Sequence, residues 1–187
     1  MERALTGAPP PDLTAAPALE TERLRLRAHR ADDLDACAEM WADPAVVRYT
    51  IGTPSTRQKT WMRLLAYRGH WALLGYGYWA VEEKLTGRYI GELGFADFRR
   101  DGLPAIEGLP ELGWALLPRA QGRGYATEAL RAAVAWGDRR FGAQRTACLI
   151  HRDNLPSFRV AGKLGYTIFA TASDDGALPA VLLRTPV

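Results

Sequence analysis

The sequence predicts a mixed α/β domain of the α+β class, with a largely antiparallel sheet flanked by helices. Three observations carry that reading. The apolar segments 74–82, 88–97 and 111–117 follow one another with only turn signals between them, the pattern of hairpin-linked antiparallel strands. A glycine-containing turn and an amphipathic helix then lead to a further apolar strand at 145–151, giving one strand–helix–strand unit. Finally, 187 residues with 48% apolar and 24% charged content suffice for one ordinary domain and would cramp two.

Residues 1–19, rich in Pro and Ala and without periodicity, are expected to be a mobile tail ahead of one domain at 20–187. No continuous apolar run there reads as a signal peptide, and residues 71–81 are too short and glycine-containing to span a bilayer. Leu24 and Leu26 alternate with arginines, as in a half-exposed strand. Ala31-Asp32-Asp33 opens a helix to about Trp41, with its acids in the first turn where the dipole favours them. Asp43-Pro44 ends it, and Ser55 is placed to cap a second helix to about Arg68.

Thr86-Gly87 marks the turn after the first of the three hairpin strands, and a loop with Asp101-Gly102 follows the second. In the third, Leu112, Trp114 and Leu116 share one face, and Glu111, Gly113 and Ala115 the other. Ala126, Ala129, Leu130, Ala133 and Val134 form the inner stripe of a helix reaching about Arg140. Asn154 caps a short helix with Pro156 in its first turn and an inner stripe of Ser157, Val160, Ala161 and Leu164, closed by Gly165. Segments 166–170 and 179–185 read as closing strands.

A net charge of +3 rules out a nucleic-acid polycation, so any basic site is local; neither a nucleic-acid nor a membrane partner is expected. Cys37 and Cys148 lack metal-ligand spacing and form no disulfide framework. They read as two small buried residues in a reducing cytoplasm, and no metal is expected.

The stretch LPRAQGRGYATEALR, Leu117–Arg131, places a flexible basic turn directly before a helix. The first N–H groups of a helix lack partners, and the dipole makes that end positive. Gly122 and Gly124 allow close backbone approach, with Arg119 and Arg123 as added charge, so the turn suits a phosphate or pyrophosphate. On spacing alone, a plain strand–helix turn is an equal reading. No Gly-Lys-Ser/Thr follows, so it is not a Walker loop. Gly122-x-Gly124-x-x-Thr127, with Asp153 as the ribose acid, also approximates a dinucleotide fingerprint, but it stands after antiparallel strands and not in an early βαβ unit.

The segment Gln121-Gly122-Arg123-Gly124-Tyr125-Ala126 resembles the Gln/Arg-x-x-Gly-x-Gly/Ala signature of the GNAT N-acetyltransferase superfamily. LETERLRLR at 19–27, DPAVVRYTIGTP at 43–54 and NLPSFRVAGKLGY at 154–166 are similar to its ribosomal-protein N-acetyltransferase (RimJ/RimL) branch, and the resemblance covers roughly 19–170. It implies a sheet split into a V between the strands at 111–117 and 145–151, with acetyl-CoA as co-substrate in the split. The pyrophosphate would rest on Gln121, Gly122, Arg123, Gly124, Tyr125, Ala126 and Thr127, and the pantetheine arm would pair near Leu116 and Leu117. Asn154 matches the asparagine that contacts the pantetheine, and Ser157 the residue near the cofactor sulfur.

The implied reaction is direct attack of a primary amine, a protein N-terminus or a small molecule, on the thioester. Glu111, then Glu92, are the general-base candidates, although a solvated strand-end glutamate is nearly as good a reading for either. A backbone N–H near Leu117 is the candidate oxyanion donor. His151 and Asp153 read as surface polar residues. Arg48, Tyr49, Trp61 and Trp71 are candidates for the acceptor side, whose chemistry the sequence leaves open. A non-catalytic acyl-CoA sensor and a nucleotide-binding oxidoreductase stand as alternatives, and a homodimer is the default assembly.

Overall fold

A computed structural model describes residues 15–100, 103, 106–171 and 179–186. The elements run β1 (Leu19–Glu20), β2 (Leu24–Arg27), α1 (Leu34–Ala42), α2 (Pro44–Val47), α3 (Arg57–Leu74), β3 (Tyr78–Glu83), β4 (Arg88–Ala96), β5 (Glu111–Leu116), α4 (Tyr125–Phe141), β6 (Thr146–Ile150), α5 (Leu155–Lys163), β7 (Thr167–Ala170) and β8 (Ala180–Arg184). They build one eight-stranded sheet in the order β1-β2-β3-β4-β5-β6-β8-β7. Every pairing is antiparallel except β5 with β6. The predicted mixed, mostly antiparallel sheet flanked by helices is the observed one.

Apolar residues cover both faces of the sheet. On one face Leu24, Val81, Leu93, Phe95, Leu112 and Leu116 meet Ala129, Leu130 and Ala133 of α4, and Trp71, Trp79 and Trp136 pack edge to face there. On the other face Ala80, Tyr89 and Ala115 meet Cys37, Met40 and Trp41 of α1 and Leu64 of α3. The alternation read along β5 is therefore real: its two faces enter two different cores.

The parallel pair β5–β6 positions the site. Only Glu111 and Ala147 are in register, with the Ala147 N–H donating to Pro110 O at 3.0 Å. β6 pairs with β8 along its whole length, so it stays with that half of the sheet while β5 stays with β4. The sheet is thus split into a V with its vertex at Glu111, between the two strands for which the sequence predicts it.

Four local expectations are corrected. Thr56, not Ser55, caps α3: its side chain accepts from the Lys59 N–H, while Ser55 is buried and its N–H donates to Trp41 O. That helix runs past Arg68 to Leu74, ending at Gly75 with φ +68°, which delays β3 to Tyr78. Asp43-Pro44 ends α1 but also starts α2, since the Asp43 carboxylate accepts from the Ala45 N–H. The fold also begins before residue 20. The Trp79 indole donates to Pro17 O at 2.8 Å and Leu19–Glu20 pairs with β2. The tail expectation for residues 1–14 and the Asp101-Gly102 turn lie outside the described residues.

Thr56→Ala is expected to cost about 1 kcal/mol in urea unfolding, the usual loss for an N-cap. Ser55→Ala, which removes no cap, is expected to cost less than half of that.

Candidate active site

A cavity of about 400 Å³ opens where β5 and β6 part. Its walls come from β5, from the end of β6 and the residues after it, from α3, and from the start of α5.

The turn at one end of the split is built from backbone. The Gln121 side chain donates to Leu116 O at 2.9 Å, tying the turn to the strand end. Gly122 and Gly124 have φ +73° and +80°, a left-handed conformation that glycine adopts without penalty. A Cβ on Gly122 would meet nothing within 4 Å, so the space is open there, while one on Gly124 would lie 3.5 Å from Arg23 Nη2. The first helical bond of α4 runs from the Glu128 N–H to Gly124 O. Among the described residues, the six successive N–H groups from Gly122 to Thr127 consequently have no protein acceptor. The arginines contribute less than the sequence suggests. Arg119 is paired with Glu39 at 2.7 Å, and Arg123 is paired with Glu83 at 3.2 Å and stacked on Tyr125. The turn attracts anions through orphan amides and the helix dipole.

Strand β5 supplies the edge of the split. The Leu117 N–H donates to Ile90 O at 2.9 Å and Leu117 O accepts from the Ala120 N–H, so both its backbone groups are used. Antiparallel alternation then turns the backbone of Trp114 and Leu116 to the opposite edge, into the split. The oxyanion donor expected at Leu117 is engaged within the sheet; the free edge lies one residue earlier.

Across the split, the Asn154 side chain accepts from the Ser157 N–H at 3.2 Å, capping α5 as predicted. Asn154 and Ser157 both line the cavity, as does His151, whose ring lies 5.3 Å from that of Tyr49. The Ser157 hydroxyl has no protein partner among the described residues.

Neither candidate base is a solvated strand-end glutamate: Glu111 is 6% exposed and Glu92 is 1% exposed. Glu111 lines the cavity at the vertex, clasped by Arg100 through Nε at 2.7 Å and Nη2 at 2.9 Å. Glu92 lies behind the wall. Its Oε1 accepts from Trp41 Nε1 at 3.0 Å and Tyr67 Oη at 2.7 Å, and its Oε2 from Tyr89 Oη at 2.9 Å. His29 Nε2 is 3.6 Å away and Cys37 Sγ 3.9 Å. Burial pushes the Glu92 pKa up, but His29, the Tyr67 hydrogen bond and the Arg63 charge outweigh it and hold the carboxyl below its ordinary range. Burial and the Glu92 charge push the Tyr67 and Tyr89 hydroxyls well up, so both remain donors.

Sequence reading did not single out Arg63, Tyr67, Tyr78 or Arg100, all of which line the cavity. The available signal was spacing: Arg63 stands one turn before Tyr67, beside the buried stripe Thr60, Leu64, Tyr67 and Trp71 of α3. Tyr78 stacks on Tyr67 at 4.4 Å, and a Cβ on Gly113 would sit 2.0 Å from its hydroxyl, so only glycine fits in β5 there. Of the predicted acceptor-side aromatics, Tyr49 lines the cavity, while Trp71 is buried in the tryptophan cluster and Trp61 packs beside α1.

Comparison with known proteins gives the arrangement its family. A model described as Acetyltransferase (GNAT) domain matches residues 23–167. The chain belongs to the GNAT acetyltransferase family. It is an acetyl-transferring enzyme. It is similar to a solved Bordetella pertussis protein assigned to that family, at 35% identity and a TM-score of 0.78, covering 90% of this chain and 99% of that one. The uncharacterized YkkB of Bacillus subtilis (strain 168) is 32% identical over 82% of this chain and 87% of its own. A ribosomal-protein-S5-alanine acetyltransferase from Vibrio fischeri shares the fold at 17% identity and a TM-score of 0.71, covering 91% and 97%. No helix of the described GNAT chain is long and apolar enough to cross a membrane.

Glu92→Gln replaces an acceptor of three donors by an amide and is expected to cost on the order of 3 kcal/mol at pH 7. The folded carboxyl titrates below its unfolded value, so its contribution is present above about pH 4.3 and fades as pH falls through the folded pKa. The gap between wild type and variant in urea unfolding should therefore be constant near neutrality and narrow in acid.

Proposed function

We propose that the protein is an acetyl-CoA-dependent N-acetyltransferase of the cytoplasm, transferring acetyl directly to a primary amine. The observation that carries this reading is the run of six N–H groups from Gly122 to Thr127 that have no partner among the described residues, beside the free edge of β5. Anionic diphosphate matches those donors, and an amide-bearing arm matches the backbone of Trp114 and Leu116 turned into the split. The thioester then reaches the vertex, where the cavity is lined by Glu111, Asn154 and Ser157. The acceptor amine enters from the side of α3. The motifs at 19–27, 43–54 and 154–166 favour the ribosomal-protein acetyltransferase branch, with a protein N-terminus as one acceptor class.

The chemistry asks little of each residue. An α-amine has a pKa near ~7.7–8, so part of it is neutral at physiological pH and its proton need be accepted only in passing. Glu111, at the cavity wall, takes that proton directly or through water. Glu92 is sealed behind Tyr67 and Trp41, and its part is to hold that wall. The Trp114 N–H, turned to the same strand edge and on the cavity wall, is placed to bind the carbonyl oxygen as it gains charge. Ser157 donates a hydrogen bond to the departing thiolate, whose pKa of about 8.5 needs no stronger acid.

Gly124→Glu is expected to lower acetyl-CoA affinity by roughly 100-fold or more by calorimetry, through bulk and charge on the amide cradle. The left-handed strain of a non-glycine residue costs only about 1–2 kcal/mol, a few degrees in melting temperature. Unchanged affinity in a folded variant would overturn the pyrophosphate assignment. Ser157→Ala should lower kcat roughly 10- to 100-fold, the worth of one hydrogen bond to a charged atom, in a thiol-release assay over peptides and amines. Its acetyl-CoA affinity should be unchanged, and an unchanged kcat would remove Ser157 from the chemical step.

A further inference from the structure

Three arginines near or within the cores each clasp a carboxylate with two nitrogens: Arg27 holds Asp33, Arg184 holds Asp138, and Arg100 holds Glu111. Arg63 differs. It lines the cavity from α3, yet among the described residues it makes no ion pair, and its buried Nε has no hydrogen-bond partner. It is nonetheless firmly placed. Its guanidinium lies 3.9 Å from the Trp41 ring centroid, and that indole is pinned by its hydrogen bond to Glu92 at 3.0 Å. Stacking covers a face of the guanidinium and leaves its edge donors for other partners.

The nearby charges do not satisfy those donors. Glu92 favours the Arg63 cation through its field, but its oxygens are occupied by Trp41, Tyr67 and Tyr89. Glu111 is neutralised by Arg100. Burial works against the Arg63 charge, but the neighbouring Tyr67 and Glu92 more than restore it, so the group is a cation held above its ordinary pKa. A guanidinium that is partly desolvated, rigid and short of acceptors suits an anion that arrives with the substrate.

We infer that Arg63 receives an anionic group of the acetyl acceptor, so that the acceptor is an amine carrying a carboxylate or phosphonate and not a polycation. This rests on the proposed acetyl-CoA-dependent transfer and names its substrate class. The anion meets the guanidinium edge over the Trp41 platform, and the amine is directed to the thioester end lined by Ser157 and Glu111.

The test uses matched acceptors with acetyl-CoA and the full chain: methionine against methioninamide, Ser-Asp-Ala-amide against Ser-Asn-Ala-amide, and 2-aminoethylphosphonate against ethanolamine. The pairs separate a free α-carboxylate, an acidic peptide side chain and a phosphonate as the source of the anion. At least one acid is expected to exceed its neutral partner in kcat/KM by roughly 10- to 100-fold, the worth of a charge-assisted hydrogen bond. Arg63→Met should abolish that ratio chiefly by lowering the rate with the acid. Arg63→Lys, a point charge without the fork, should retain part of it.

Calorimetry of the same pairs in the presence of CoA reads the preference without turnover. Equal rates and equal binding within every pair, or a ratio unchanged in a folded Arg63→Met, would overturn the inference. Cofactor affinity separates the two levels. Acetyl-CoA binding with no acid preference sinks only the acceptor class, whereas loss of acetyl-CoA binding in the wild type sinks the proposed transfer itself.

Discussion

One buried carboxylate holds the acceptor half of this molecule together. Glu92 rises from β4 into a space with almost no solvent, where an unsatisfied charge would cost several kcal/mol. Its oxygens are met by an indole from α1, a phenol from α3 and a phenol from its own strand. The indole and the first phenol come from helices that hydrophobic packing alone would leave freer to slide on the sheet. Trp41 and Tyr67, fixed in this way, become cavity wall, and Trp41 in turn carries Arg63. A single satisfied charge thus sets how α1 and α3 lie on the sheet and where their polar tips point.

The other half of the site is organised by backbone groups the fold leaves unused. Parting β5 from β6 after one register pair exposes a strand edge that would ordinarily invite another strand. Here the edge is enclosed in a cleft, and it presents the backbone of Trp114 and the N–H of Leu116, because Leu116 O is held by Gln121 and Leu117 is already spent on Ile90. The glycine turn repeats the device at a helix end, leaving six amides without a protein acceptor among the described residues. Both features trade sheet or helix hydrogen bonds for ligand hydrogen bonds, which is why neither needs a specialised side chain. Arg119 and Arg123, which look like phosphate ligands in the sequence, can be used for tying the turn to Glu39 and Glu83.

What the sequence makes legible follows from how local the cause is. The period-2 faces of β5, the stripe of α4 and the Asn154 cap depend on neighbours within a few residues, and all are found where expected. Even the split follows from a family motif spanning strand, turn and helix. The misses are of two kinds. Ser55 and Thr56 are adjacent and chemically alike as caps, so only the burial of Ser55 under α1 decides between them. Arg63, Arg100 and the Glu92 donors depend on contacts up to 51 residues away, and a charged residue beside a helix stripe reads as a solvated flank. The Leu117 amide is a third lesson: strand alternation sets the faces of side chains, but only the pairing partner says which edge the N–H meets.

The charges around the cavity are also consistent with the demands of amine attack. The nucleophile must be neutral, so the site has to discourage the ammonium form while leaving somewhere for its proton to go. A bare carboxylate at the vertex would do the opposite, stabilising the ammonium by direct pairing. Clasped by Arg100, Glu111 holds a bound ammonium less strongly while keeping oxygen atoms in reach of a transferred proton. Arg63 adds to the same effect, because a fixed positive charge lowers the pKa of an amine bound near it. A guanidinium that anchors the acceptor's anion would therefore also bring its amine closer to the reactive form, so that recognition and activation would draw on one charge.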